Sequence, residues 1–138
     1  MNAVDTNVLV YAFDLDEPVK RRAALGFMES LPVEETVLLW QVALEFSSVI
    51  TRSGTRERKV ADRRAAIESL CQRFPLVMPG PDVLASAWNL REKHQLSWWD
   101  AALIAACLDA GVSRLYSEDL QSKPVIEGVA IVNPFLST

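Results

Sequence analysis

Short apolar runs separated by longer amphipathic segments are the feature that most constrains how this chain can fold. A strand that is apolar on both faces is typical of a parallel sheet covered by helices. The intervening segments are long enough for the helical crossovers that parallel strands require. We therefore predict an α/β fold, a three-layer α/β/α sandwich with a central, mostly parallel, five-stranded sheet. The predicted strands lie at 3–5, 36–40, 76–78, 114–117 and 129–132.

Helical spacing of apolar residues accounts for most of the remaining chain. A length of 138 residues fits one core, so we expect a single domain over residues 1–138. No apolar run approaches the roughly 20 residues of a membrane span, and no basic stretch precedes an apolar one at the N-terminus. The predicted helices begin near residue 6 and then cover 17–31, 41–52, 56–73, 82–95 and 97–111.

Charge and cysteine content narrow the possible functions. Fourteen basic and eighteen acidic side chains give a net charge of −4, whereas proteins that bind nucleic acid through phosphates alone are usually basic. Any nucleic-acid function would need a local patch, a metal or a partner. Cys71 and Cys107 lack metal or redox spacing, so we expect buried reduced thiols and a cytoplasmic protein.

Four acidic residues fall where strands end or the next helices begin. Asp5 ends the first strand, Glu45 lies in the helix after the second, and Asp119 follows the fourth. Asp100 lies in the first turn of the helix that starts at Ser97. Each also has a structural explanation on its own. Asp5 could cap a helix, Glu45 could be a solvated helix residue, and Asp119 could be a turn residue or cap. Asp100 would complete a capping box with Ser97 in S-W-W-D.

Together these acids predict a cation site, because the carboxyl ends of parallel strands share one edge of the sheet. Two like charges about 6 Å apart repel by roughly 3 kcal/mol at an effective dielectric near 20. Four carboxylates would therefore cost on the order of 15 kcal/mol, which rivals the stability of a whole domain, roughly 5–15 kcal/mol. Hard oxygen ligands, which Thr6, Asn7 and Ser117 could supplement, favour Mg²⁺ or Mn²⁺ over zinc.

Several sequence blocks carry a family resemblance over essentially the full length. They are VDTNVLVYA at the N-terminus, QVALEF at 41–46, SWWDAALIAAC at 97–107, YSEDLQ at 116–121, and a last strand ending in VNPF. With this order and spacing, the chain resembles the PIN-domain family, and within it the VapC-type toxins of bacterial toxin–antitoxin pairs.

The resemblance implies a Mg²⁺- or Mn²⁺-dependent endoribonuclease that acts on RNA, is held inactive by a cognate antitoxin protein, and forms a homodimer. The implied acidic quartet is Asp5, Glu45, Asp100 and Asp119, which would hold the metal and carry catalysis. Thr6, Asn7 and Ser117 would be accessory. Glu118 neighbours Asp119 and could substitute for it. The stretch SKPVIEG replaces a glycine-containing turn of many relatives, so the geometry of this loop is expected to differ.

Other candidates have two interpretations. Basic residues at 52–64, including Arg52, Arg56 and Lys59, are either a solvated helix face or contacts to the RNA backbone. For Trp98 and Trp99 we favour core or site-wall packing over base stacking. We expect an exposed position at a helix end for His94, the only histidine.

Alternative functions remain open at this stage. A non-toxin or non-catalytic PIN module in RNA processing or complex assembly fits the same motifs. A signalling receiver domain fits less well, because its acids and lysine belong at other strand ends. A haloacid-dehalogenase-like phosphatase needs D-x-D where this chain has D-T-N, and Asn7 cannot act as the general acid.

Overall fold

A computed structural model describes residues 1–52, 60–120 and 123–136, without the side chains of 60 and 61. The helices in these ranges are α1 (Thr6–Phe13), α2 (Pro18–Ser30), α3 (Trp40–Ile50), α4 (Val60–Arg73), α5 (Val83–His94) and α6 (Trp98–Asp109), with a 3-10 turn at Val33–Glu35. The strands are β1 (Asn2–Val4), β2 (Leu38–Leu39), β3 (Leu76–Val77), β4 (Arg114–Tyr116), β5 (Val125–Ile126) and β6 (Val129–Val132). Residues 56–59 of the predicted fourth helix lie outside the described residues.

The strands form a four-stranded sheet in the order β1-β4-β6-β5 and a two-stranded sheet of β2 and β3. All neighbouring strands are parallel except β5 and β6. The two sheets meet where the Val37 N–H donates to the Asn2 carbonyl at 2.9 Å. The α/β sandwich with a mostly parallel sheet is confirmed, but the single five-stranded sheet is wrong. Among the described residues, the two-residue strands β2 and β3 form a ladder with each other and not with the larger sheet, and β5 adds a strand that was not predicted.

The unpredicted strand β5 belongs to a tight hairpin with β6. Ile126 pairs with Val129, and only Glu127 and Gly128 connect them. Both connecting residues have positive φ, 49° and 86°, which is the combination that a type I′ turn requires. The last four residues of the SKPVIEG stretch, 125–128, are therefore the strand β5 and the turn of this hairpin.

Local capping fixes the starts of α1 and α6, where two of the four acidic candidates lie. Asp5 caps α1, since its side chain accepts a hydrogen bond from the Thr6 N–H. Ser97 caps α6 by accepting from the Asp100 N–H at 3.2 Å. Both helices therefore start at residues that the sequence marks as caps.

The core lies between the sheet and the helices, and α6 is its most buried helix. Ile104 and Cys107 are fully buried, and burial raises the pKa of the Cys107 thiol to about 12. Cys71, by contrast, is exposed on α4, so the expectation of a buried thiol is wrong there. His94 is half-buried rather than exposed, and its Nε2 lies 2.8 Å from Glu127 Oε1. Within the described ranges, no helix has the length and apolar character needed to cross a membrane.

We expect Ile104→Ala to lower the free energy of unfolding by about 2–5 kcal/mol, because it leaves a cavity in a close-packed core. The matched control is Leu108→Ala, one helical turn further on, where the side chain is 38% exposed. Its cost should stay below about 1 kcal/mol. Urea unfolding followed by circular dichroism measures both, and equal losses would contradict this description of the core.

Candidate active site

Strands β1 and β4 bring the first two candidate segments to one edge of the sheet. The Asp5 N–H donates to the Tyr116 carbonyl at 2.8 Å, which extends the β1–β4 pairing by one residue. On the other side, the Ser117 N–H donates to the Val132 carbonyl at 2.9 Å. Asp5 and Ser117 are therefore neighbours at the carboxyl edge, as the strand pattern predicts.

The Asp5 carboxylate is buried, with only 9% of the residue exposed. Its Oδ1 accepts from the Thr6 N–H and its Oδ2 from the Ser117 hydroxyl, both at 2.7 Å. Burial raises the pKa of Asp5 above its usual value; the two hydrogen bonds oppose this shift, and the charges of Glu45 and Asp119 add to it. Compared with a carboxylate in water, this one therefore gains more from neutralisation by a proton or a cation.

Glu45 reaches the same place from the second turn of α3. Its Oε2 accepts from the Thr6 hydroxyl at 2.9 Å, and its Oε1 accepts from Gln41 Nε2 at 3.1 Å. Thr6 thus joins two carboxylates, through its N–H to Asp5 and through its hydroxyl to Glu45. This gives the threonine of the D-T-N motif a definite structural role.

Asp119 is held by the loop that follows β4. Asn7 Nδ2 donates to Asp119 Oδ2 at 3.1 Å, and the Asp119 N–H donates to Ser117 Oγ at 3.0 Å. The next residue, Leu120, has a φ of 62°, which is costly for a branched side chain. Its side chain packs against the core, which offsets that cost.

Asp100 approaches from the first turn of α6. Its N–H completes the predicted cap with Ser97. Among the described residues, no hydrogen bond engages its carboxylate. Capping therefore explains the backbone of Asp100, whereas its side-chain oxygens remain available as ligands.

The four carboxylates line one open cleft of about 420 Å³. No lysine, arginine or histidine of the described residues lines it. Apolar and polar side chains complete the wall. The lining residues are Asp5, Thr6, Asn7, Val10, Tyr11, Gln41, Glu45, Val49, Trp99, Asp100, Leu103 and Asp119.

The ligand atoms of this cleft suit a hard divalent cation in their chemistry. They are carboxylate, amide and hydroxyl oxygens, the set that Mg²⁺ and Mn²⁺ prefer. In the described part of the chain, however, no three Asp, Glu, His or Cys side chains form a group that could hold a metal ion. The acids surround the cleft instead, which is compatible with Mg²⁺ because this ion usually keeps several waters.

The remaining sequence candidates differ in where they lie relative to the cleft. Arg52 is exposed just beyond α3, whereas Arg56 and Lys59 lie outside the described residues. Glu118 forms an ion pair with Lys20, so it does not replace Asp119 in the cleft. Of the adjacent tryptophans, Trp98 is half-buried and only Trp99 lines the cleft.

A cationic cluster braces the loop that carries Asp119. Lys20 Nζ pairs with Glu118 and lies 4.6 Å from the ring centre of Tyr11 and 4.4 Å from that of Phe135. The rings of Tyr11 and Phe135 meet edge to face at 5.4 Å. We call Lys20, Glu118, Tyr11 and Phe135 the Lys20 clasp. It connects α1, α2, the Asp119 loop and the C-terminal segment.

Sequence reasoning missed Gln41 and the Lys20 clasp. Gln41 precedes Glu45 by four residues, so the two share a helix face, and that spacing could have identified the contact. Lys20 and Glu118 are 98 residues apart, and no local pattern links them.

The fold and the cleft together define an α/β protein with a carboxylate-lined site at the carboxyl edge of a parallel sheet. Residues 3–123 match the PIN domain family. The chain therefore belongs to the PIN domain family, as the motifs indicate. A comparison with curated proteins gave no match.

Solved structures of similar fold include a toxin–antitoxin complex and a toxin. A toxin–antitoxin complex from Klebsiella pneumoniae has a TM-score of 0.72 at 19% identity, covering 98% of both chains. FitAcB from Neisseria gonorrhoeae has a TM-score of 0.69 at 17% identity, covering 97% of this chain and 98% of that one. VapC20 of Mycobacterium tuberculosis, a toxin that cleaves the sarcin–ricin loop, has a TM-score of 0.67 at 16% identity, covering 92% and 98%. At these identities the likeness establishes the fold.

We expect Lys20→Met to lower the free energy of unfolding by about 1 kcal/mol at neutral pH, after allowing for solvent screening of a partly exposed pair. Lys20 lowers the pKa of Glu118 below its usual 4.5, so the pair stabilises the fold above that pH. The ion-pair part of the difference should be lost as the pH falls through the lowered pKa of Glu118, so the difference between the wild type and the variant should shrink to what the contacts of Lys20 with the Tyr11 and Phe135 rings contribute.

Thermal unfolding at several pH values tests this prediction. The control is Lys93→Met, which removes a second lysine–glutamate pair of the described residues, the pair with Glu127, where Lys93 is 68% exposed. Lys93→Met should destabilise the protein less than Lys20→Met does. A Lys20→Met difference that persists unchanged in acid would show that the ion pair is not its source.

Proposed function

We propose that this chain is a metal-dependent endoribonuclease and the toxin of a toxin–antitoxin pair. The observation that carries the proposal is the single cleft lined by Asp5, Glu45, Asp100 and Asp119, which come from four separate segments. Membership of the PIN domain family and the toxin structures of similar fold support it.

In this proposal the four carboxylates hold Mg²⁺ or Mn²⁺ and are the catalytic residues. Two bound ions would supply an activated water and charge stabilisation for the leaving oxygen of a phosphodiester. The accessory residues position the acids: Thr6 fixes Asp5 and Glu45, while Asn7 and Ser117 fix the Asp119 loop.

The proposed substrate is RNA. An acidic protein with an acidic cleft repels phosphates, so the cations must reverse the local charge before a strand can approach. Arg52, with Arg56 and Lys59 beyond it in the sequence, is our candidate for contacts to the RNA backbone outside the cleft.

An antitoxin is the proposed protein partner, by analogy with the toxin–antitoxin complex from Klebsiella pneumoniae. We assign it to an apolar groove of about 220 Å³ formed by α1, α2, α3 and α4. The apolar residues of this groove include Leu9, Phe13, Leu25, Met28, Phe46 and Leu70.

We also propose that the chain forms a homodimer in the complex.

We expect Asp100→Asn to reduce cleavage of total RNA at least about a hundredfold, since replacing even outer partners of metal ligands costs about 10- to 100-fold. Chelator should abolish cleavage by the wild type, and added Mg²⁺ or Mn²⁺ should restore it. The matched control is Asp82→Asn, an exposed acid at the start of α5 that lies outside the cleft. It should cleave at the wild-type rate.

Cleavage by Asp100→Asn at the wild-type rate, or cleavage that survives chelation, would overturn the proposal. A folded wild type that binds RNA but never cleaves it would instead indicate a non-catalytic module of the same fold.

We expect Mg²⁺ or Mn²⁺ to raise the melting temperature of the wild type by roughly 5–10 °C at a hundredfold excess over Kd. The ions relieve repulsion among the acids and bind only the folded site. Asp100→Asn should show a much smaller shift and Asp82→Asn the full one. Differential scanning fluorimetry provides the measurement, and equal shifts in all three proteins would place the cation elsewhere.

A further inference from the structure

Two adjacent tryptophans at the start of α6 have different surroundings. Trp98 is half-buried and packs against Trp88 of α5, with 6.2 Å between the ring centres. Trp99 is 67% exposed and lines the carboxylate cleft. Packing against the core therefore accounts for a tryptophan at position 98. It does not account for a tryptophan at position 99, where most of the side chain is exposed.

The backbone of Trp99 is fixed relative to the acids. Asp100 is the next residue, and the Trp99 carbonyl accepts from Gln41 Nε2 at 3.3 Å. The same Gln41 nitrogen donates to Glu45. One glutamine thus ties the exposed tryptophan to a cleft carboxylate on another helix.

Trp99 is the outer end of an apolar strip in the cleft wall. Leu103, one helical turn further along α6, also lines the cleft but is almost fully buried. The ring of Tyr11, another aromatic of the wall, is already occupied by Phe135 and the Lys20 ammonium group. In the part of the chain that the structure describes, no ring or cation contact covers Trp99.

The charge of the cleft determines what such a surface can bind. Carboxylates repel a phosphate backbone, whereas an aromatic face binds a neutral nucleobase without needing a counter-charge. Stacking of a base on an aromatic side chain is worth enough to change affinity by roughly 5- to 150-fold. Unpaired bases are available for it, whereas bases inside a duplex are not.

We propose that Trp99 is a stacking platform for an unpaired base of the RNA strand whose phosphate lies at the four acids. This inference rests on the proposed nuclease function and adds a base-binding subsite to it. The subsite accepts any base, because every base has a π-face, and it selects single-stranded RNA over duplex.

Binding to a short single-stranded RNA and to its abasic counterpart tests this subsite. Both titrations use an Asp119→Asn background in Mg²⁺, so that the RNA stays intact. Trp99→Ala should weaken binding of the normal RNA about tenfold, and Trp99→Phe should restore most of it. The Trp99→Ala protein should bind normal and abasic RNA equally, whereas the background protein should prefer the normal strand. Leu84→Ala is the matched control, because Leu84 is an exposed apolar side chain that lies outside the cleft. It should leave the affinity for both RNAs unchanged.

The outcomes separate this inference from the proposed function. Unchanged RNA affinity and cleavage in the Trp99→Ala protein would overturn the stacking subsite and leave the nuclease standing. If RNA binding depends on Trp99 but the protein with all four acids intact never cleaves RNA, the stacking subsite stands and the proposed nuclease function is overturned. If Trp99→Ala changes the sedimentation coefficient without affecting base preference, the tryptophan belongs to a protein interface and the inference fails.

Discussion

The buried carboxylate of Asp5 is the constraint around which the rest of the site is arranged. An isolated buried charge at the end of a strand is costly unless hydrogen bonds or a counter-ion compensate for it. The Thr6 N–H and the Ser117 hydroxyl provide part of that compensation. The Thr6 N–H reaches the carboxylate because α1 begins directly after Asp5. The Ser117 hydroxyl reaches it because β4 ends beside β1. The hydrogen bonds of this one carboxylate therefore connect the start of α1 with the segment that follows β4.

From Asp5, polar contacts extend to two of the other three acids. Thr6 connects it with Glu45, and Ser117 connects it with the backbone of Asp119. Each connection uses a neutral group, so it sets the positions of the acids without cancelling their charge. A lysine at the same place would stabilise the protein more strongly, but it would compete with any cation. The acids thus keep their mutual repulsion, and a bound cation would relieve it.

The sequence predicted the parts of this molecule that follow from repeated local patterns. Short apolar runs between helices predicted the parallel sheet, and acids at strand ends predicted the carboxylate cleft. The strand β5 escaped prediction because two residues carry no periodicity, and its turn at Glu127 uses a residue other than the usual Asn or Asp. The Lys20–Glu118 pair escaped because tertiary packing alone brings these residues together. Nor does a helical pattern show that Cys71 lies on the exposed side of α4.

In the proposed nuclease, whose net charge is −4, the cleft would separate two kinds of recognition. The acids would act on a phosphate only through bound cations, so they would contribute little to choosing a strand by its bases. Trp99 contributes no charge, and it adjoins Asp100 in sequence and in the cleft wall. A base that stacks there must leave its own helix, whereas the phosphate beside it must still reach the acids. A flexible loop or single strand can satisfy both conditions at once, and a continuous duplex cannot.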